Sequence, residues 1–120
     1  MRKILTFIAP LLFATRVFAG DAVVEQVEAR KSGETWRFSV TISHGDTGRD
    51  HYADGWGVYL EDGTELGYRV LAHPHVNEQP FTRSLSGVVV PAGVREVFII
   101  PRDKVHGVSA TRTRVKLDRE

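Results

Sequence analysis

The chain has 120 residues, no cysteine, and 16 basic against 15 acidic residues. The absence of cysteine excludes disulfides, thiolate metal ligands and lipidation at a cysteine, and the near-balanced charge gives no basic excess for nucleic acid or an anionic membrane surface. We therefore expect one domain held by an ordinary hydrophobic core, with no nucleic-acid partner.

Residues 1–19 have the pattern of a secretory signal peptide. A basic pair precedes an apolar run over residues 4–14, and small or β-branched residues stand at the −3 and −1 positions of a cut after Ala19. The run is too short for a membrane anchor, which needs roughly 20 apolar residues. We expect cleavage after Ala19, a periplasmic or secreted location, and a mature domain of residues 20–120. Because the leader holds three basic residues and no acid, that domain carries a net charge of −2.

The rest of the chain consists of short runs cut by turn residues, without a long stretch of helical period. In residues 34–43, Trp36, Phe38, Val40 and Ile42 alternate with mostly polar residues, which predicts a strand with one buried face. Seven strands are predicted, over residues 21–30, 34–43, 55–61, 65–72, 83–90, 94–101 and 108–117. This pattern predicts an all-β, seven-stranded antiparallel sandwich of immunoglobulin-like type, with a small closed β-barrel as the alternative.

The histidines are distributed unevenly over the predicted connections. If consecutive strands run antiparallel, residues 43–54, 73–82 and 102–107 connect strands at one end of the sandwich, and the short turns lie at the other. These three connections contain all five histidines of the protein: His44, His51, His73, His75 and His106. Because loops on a rigid scaffold commonly carry function, this end is the candidate functional site.

The His73-Pro74-His75 segment favours metal binding. In an extended chain, residues i and i+2 point to the same side, and Pro74 biases the pair toward that conformation. Imidazole nitrogen suits zinc and cupric copper, so we expect one of these ions at this end. The predicted ligands are His73, His75, His51 and His106. Supporting residues are expected among other polar side chains of the same region: His44, Asp50, Asp54, Glu78 and Arg83.

Two alternatives use the same residues. Histidines can brace long loops through hydrogen bonds, which would leave a non-metal interaction domain that contacts another envelope protein. A metal-dependent hydrolase would need an open metal position and a general base such as Glu78. The spacing of a calcium-binding EF-hand and the Gly-x-Ser-x-Gly elbow of a serine hydrolase are both missing. We assign no catalytic residues and expect a binding module rather than an enzyme.

Three stretches together resemble a group of small secreted bacterial proteins of unassigned function with an immunoglobulin-like fold. They are DHYADGW (50–56), HPHVNEQPFTRSLSGV (73–88) and VHG (105–107). The resemblance implies a compact periplasmic domain and brings no activity, cofactor or site residue with it.

Overall fold

The structure is a computed structural model that describes residues 21–118, and the predicted signal peptide lies outside them. Every regular element within this range is a β-strand. The strands are β1 (Val23–Ser32), β2 (Thr35–Ser43), β3 (Ala53–Tyr59), β4 (Glu65–Val70), β5 (Phe81–Val88), β6 (Glu96–Asp103), β7 (Gly107–Val108) and β8 (Thr113–Lys116). No helix in this part of the chain has the length and apolar character that crossing a membrane requires.

The strands form two antiparallel sheets. One has the order β1-β2-β5, and the other has the order β4-β3-β6-β7, with β8 also paired to β6. Strands β7 and β8 pair with opposite ends of β6, so they lie one after the other along the same edge. Neither sheet closes on itself, which confirms the predicted antiparallel β-sandwich and excludes the closed barrel.

The core lies between the sheets because both contribute strands with a period of two. On β2, the side chains of Trp36, Phe38, Val40 and Ile42 are at most 1% exposed, as their alternation predicts. The facing sheet contributes buried side chains from β3 and β6, namely Trp56, Val58, Val97 and Ile99. Burial of these aromatic and β-branched side chains provides the main stabilisation of the sandwich.

The last predicted strand, residues 108–117, is interrupted. Its two ends pair with β6 as β7 and β8, whereas the segment between them leaves the ladder. The buried Ser109 donates its backbone N–H to the carbonyl of Pro101, and its hydroxyl accepts from the N–H of Thr111. Across this segment the register against β6 shifts by two residues, from Arg102↔Val108 in β7 to Ile99↔Thr113 in β8, so residues 21–118 contain eight strands where the sequence predicts seven.

Three connections meet at one end of the sandwich, and they position the candidate site. They join β2 to β3, β4 to β5, and β6 to β7, and they hold all five histidines. The side chain of Gln79 ties the first two together, since its Oε1 accepts from the His44 N–H at 2.9 Å and its Nε2 donates to the His75 carbonyl at 2.8 Å. The Lys104 N–H donates to the Tyr52 carbonyl at 3.0 Å and so ties the third connection to the first.

Candidate metal centre

The buried carboxylate of Asp46 organises the connection between β2 and β3. Its Oδ1 accepts from the His44 Nδ1 at 2.5 Å and from the Ala53 N–H at 3.0 Å. Its Oδ2 accepts from the His75 N–H at 2.7 Å. Because both oxygens accept, Nδ1 of His44 is the donor to Asp46, and this tautomer leaves a lone pair on Nε2 that can bind a cation. A carboxylate that orients a histidine in this way is the usual outer partner of a metal-ligating imidazole.

A second buried carboxylate, Asp103, ends strand β6. Its Oδ1 accepts the backbone N–H groups of Val105 and His106 at 2.9 and 2.8 Å, and the His106 Nδ1 lies 3.1 Å away. Burial by itself would raise the pKa of Asp103, but the hydrogen bonds from His106 and Val105 outweigh it and lower the pKa. The site therefore contains an ionised carboxylate that is only 1% exposed.

The rings of His44 and His51 approach Asp103 from the core side. The His51 Nε2 lies 3.2 Å from Oδ1 of Asp103, and the His44 Nε2 lies 4.0 Å from Oδ2. The two rings contact each other edge-on, with centroids 4.7 Å apart. Potential ligand atoms of His44, His51 and Asp103 all lie within 4.8 Å of one another. We name these three residues the inner group.

Both Nε2 atoms of the inner group are buried and lack a hydrogen-bond partner. The His51 Nε2 is close enough to Asp103 for a hydrogen bond, but the two groups are not aligned to form one. The His44 Nε2, at 4.0 Å from Asp103, is too far away for a hydrogen bond. Two ligands of one zinc ion lie at most about 4.1 Å apart, because each bond is about 2.0–2.1 Å long. Both separations from Asp103 meet this limit, and ligand atoms of all three residues lie within 4.8 Å of one another, so the inner group has the donor types and the approximate spacing of a metal site.

The partners of the two carboxylates are consistent with this fit. Within residues 21–118, Asp46 and Asp103 lie within ion-pairing distance of histidines and of no lysine or arginine. Hydrogen bonds stabilise such buried carboxylates, and a nearby positive charge stabilises them further. A bound metal cation would supply it without needing protonated imidazoles.

The predicted ligands His73 and His75 lie beside the inner group and are not members of it. Their rings are 4.8 Å apart, so the pair does face one side, as the His-Pro-His pattern predicts. The His75 ring stacks on Phe81 at 3.9 Å, and its Nε2 lies 2.9 Å from the Arg83 guanidinium. Since arginine can only donate, Nε2 accepts and Nδ1 carries the proton of the neutral ring. In this arrangement His75 presents no free lone pair to a metal.

The remaining predicted residues have different environments. His51 belongs to the inner group, and His106 contacts Asp103 from the solvent side, with its ring 5.3 Å from that of His51. Asp54 forms an ion pair with Arg102. Asp50 and Glu78 are exposed and lie outside the inner group. Their roles as supporting ligands stay predictions.

Asp46 and Asp103 are the functional candidates that sequence reasoning missed. Each stands near a histidine in the chain, as His44-x-Asp46 and Asp103-x-x-His106. Asp103 also ends the most apolar strand of the protein, where an acidic side chain is exceptional. These two local spacings were the available signal.

No family model matches the chain. It is 41% identical over 85 residues to a protein of Halomicrobium mukohataei named "Putative lipoprotein", an alignment that covers 71% of this chain and 41% of that protein. The chain thus matches less than half the length of this relative.

Two solved structures share the fold. A hypothetical protein from Pyrococcus horikoshii OT3 superposes with a TM-score of 0.56 and 13% identity, over 86% of this chain and 95% of that one. A superoxide reductase from Nanoarchaeum equitans superposes with a TM-score of 0.54 and 17% identity, over 82% of this chain and 93% of that one. At these identities the likeness concerns the fold, and it agrees with the two-sheet sandwich described above.

Proposed function

We propose that the protein is a metal-binding β-sandwich whose inner group, His44, His51 and Asp103, holds a divalent transition metal. One observation carries the proposal: two buried imidazole Nε2 atoms without hydrogen-bond partners lie against one buried, ionised carboxylate. Imidazole suits zinc, copper and iron, and two histidines with one carboxylate is a common ligand set for zinc and ferrous iron.

Bracing by protonated histidine is the main competing account. A proton on the His44 Nε2 would balance charge, but at 4.0 Å it would not give that nitrogen a hydrogen bond to Asp103. A metal ion between the His44 Nε2 and the Asp103 carboxylate would bind both of these groups and also His51. The carboxylate of Asp46 already fixes the tautomer that a ligand requires. The geometry therefore favours a metal over a buried ion pair.

The inner group supplies three protein ligands, which is the number found at zinc sites that keep a position open for water or substrate. A second candidate function is therefore chemistry at the metal. The shared fold with a protein named superoxide reductase makes reaction with superoxide one activity to assay, and metal-assisted hydrolysis is the other. A protein that only carries the metal, or uses it structurally, would need neither of these two reactions.

An envelope or secreted location belongs to the same proposal. Two facts support it: the signal-peptide pattern of residues 1–19, and the lipoprotein name of the Halomicrobium relative. The periplasm, cleavage after Ala19 and the immunoglobulin-like assignment remain predictions of the sequence. A contact with another envelope protein through the histidine-containing connections is the alternative if no metal binds.

The test uses tag-free protein that has been stripped with chelator and dialysed against Zn²⁺, Cu²⁺ or Fe²⁺. We expect at least about one bound equivalent of the preferred ion. At an ion concentration of about 100 Kd, binding stabilises the fold by about 2.7 kcal/mol, which for a domain of this size raises Tm by roughly 10–20 °C.

Two variants identify the ligands. His51→Ala should abolish tight binding and the rise in Tm, and its partial exposure favours folding of the variant. His73→Ala is the matched control, because His73 is exposed and lies outside the inner group. Absence of bound metal with an unchanged Tm would refute the proposal. Loss of binding in His73→Ala but not in His51→Ala would instead support the ligands predicted from the sequence.

A further inference from the structure

Asp103 belongs to a second group of potential ligands. Atoms of Asp21, Asp103 and His106 also lie within 4.8 Å of one another, and we name these three residues the outer group. Asp21 and His106 are exposed, whereas Asp103 is 1% exposed. The two groups therefore share one buried carboxylate, with imidazoles on its core side and an acid and an imidazole on its solvent side.

The shared carboxylate is held in place. Two backbone N–H groups, from Val105 and His106, donate to its Oδ1 at 2.9 and 2.8 Å. Because this anchoring fixes the plane of the carboxylate, Asp103 cannot serve the two groups by rotating from one to the other. Its Oδ1 and Oδ2 each have a neighbour in both groups: His51 or His44 on one side, and the His106 Nδ1 at 3.1 and 3.2 Å on the other.

The five residues form two groups rather than one at the 4.8 Å limit. An ion with bonds of about 2.0–2.1 Å can contact only atoms that lie within about 4.1 Å of one another. A single small ion in this arrangement therefore cannot engage all five residues at once. Two ions that share a carboxylate would engage both groups, and pairs of ions about 3.5–4 Å apart are a common arrangement in metalloproteins.

We propose that Asp103 bridges two divalent cations, one in the inner group and one in the outer group. This inference rests on the proposed function above. The outer ion is bound by two carboxylates and by the imidazole of His106, whose Nδ1 loses on metal binding the proton that it otherwise shares with Asp103. This set of hard and borderline donors suits Zn²⁺, Mn²⁺ or Fe²⁺. Since Asp21 and His106 are exposed, the outer ion keeps positions open to water or to an anionic ligand. The outer group is thus the accessible side of the centre.

The stoichiometry of binding tests the bridge. Tag-free, chelator-stripped protein is titrated with Zn²⁺ and separately with Mn²⁺, and bound metal is measured after dialysis. We expect about two equivalents of Zn²⁺ in the wild type and about one in Asp21→Asn, with the tighter site unchanged. Glu34→Gln is the matched control, because Glu34 is an exposed acid in the turn between β1 and β2, outside both groups, and this variant should retain about two.

The outcomes separate the two proposals. One equivalent of Zn²⁺ in both the wild type and Asp21→Asn would overturn the bridge and leave the inner site intact. No binding in either protein would overturn both proposals. Two equivalents that persist in Asp21→Asn would show that the second ion lies elsewhere, and would also overturn the bridge. With Mn²⁺, we expect Asp21→Asn to bind less than the wild type, and equal binding would count against the outer group.

Discussion

Asp46 should contribute more to stability than any exposed acid of the protein. Its side chain is fully buried and accepts from His44 Nδ1, from the Ala53 N–H and from the His75 N–H. In Asp46→Ala these three donors lose their partner, and each buried unsatisfied group costs about 1–3 kcal/mol. Allowing for water that enters the space, we expect a loss of about 3–6 kcal/mol. This is a large share of the roughly 5–15 kcal/mol that stabilises a typical domain.

Asp46→Asn tests the hydrogen bonds of Asp46 without removing side-chain volume. The amide has nearly the same shape and keeps one acceptor oxygen, but its NH₂ group must face at least one of the three donors. We expect this variant to lose about 1–3 kcal/mol, less than the alanine variant. Because asparagine keeps the volume of aspartate, a loss of stability in this variant reports on the hydrogen bonds and not on side-chain volume.

Urea denaturation in the presence of chelator measures these losses without a contribution from metal. The buried Trp36 and Trp56 provide a fluorescence signal for unfolding. Asp50→Asn, an exposed change in the same connection, should shift stability by no more than about 0.5 kcal/mol. A loss below about 1 kcal/mol in Asp46→Ala would refute the role of Asp46 as the residue that ties the connections together.

Three other predictions concern the pH dependence and the packing of the sandwich. Burial, and then the charge of Arg83, lower the pKa of His75, so the unfolded chain binds this proton at a higher pH than the folded protein does. The stability due to neutral His75 is therefore present above about pH 6.5 and is lost as the pH falls toward the lowered pKa. In this pH range the urea midpoint of His75→Phe should fall less steeply than that of the wild type. An equal slope in both proteins would contradict this. In Gly55→Ala the new Cβ would lie 2.0 Å from the Tyr68 hydroxyl, so the tyrosine ring must move. Because the pKa of Tyr68 is raised mainly by burial, it should then fall toward about 10. An ultraviolet titration measures this pKa, and Tyr68→Phe identifies the signal of Tyr68. An unchanged titration would show that the ring stays in place. Phe38→Ala removes a fully buried side chain and should cost about 3–5 kcal/mol in urea, whereas a loss under 1 kcal/mol would mean that the core is misassigned.

The sandwich could be predicted because its strands follow a period of two. The alternation from Trp36 to Ile42 predicts which face of β2 is buried, and the apolar run ending near Asp103 predicts the central position of β6. The interruption between β7 and β8 could not be predicted in the same way. It reflects a shift of two residues in the register against β6 between β7 and β8, which the alternation of this segment does not encode.

The gathering of the histidines could also be predicted, since it follows from the alternation of antiparallel connections. The composition of the inner group could not. It depends on two carboxylates whose burial is decided by the folded connections, and acids in polar loops are usually solvated. The orientation of His75 depends likewise on Arg83, which approaches from β5. The sequence thus predicts that the histidines gather at this end of the fold, but not which of them form the inner group.

Anomalous X-ray diffraction from crystals of the tag-free protein grown with Zn²⁺ tests whether the inner group binds a metal. Data collected above and below the zinc absorption edge locate the ion independently of the protein coordinates. We expect a peak about 2.0–2.2 Å from the Nε2 atoms of His44 and His51 and from a carboxylate oxygen of Asp103. A peak between His73 and His75, or no peak at the inner group at saturating Zn²⁺, would contradict this expectation.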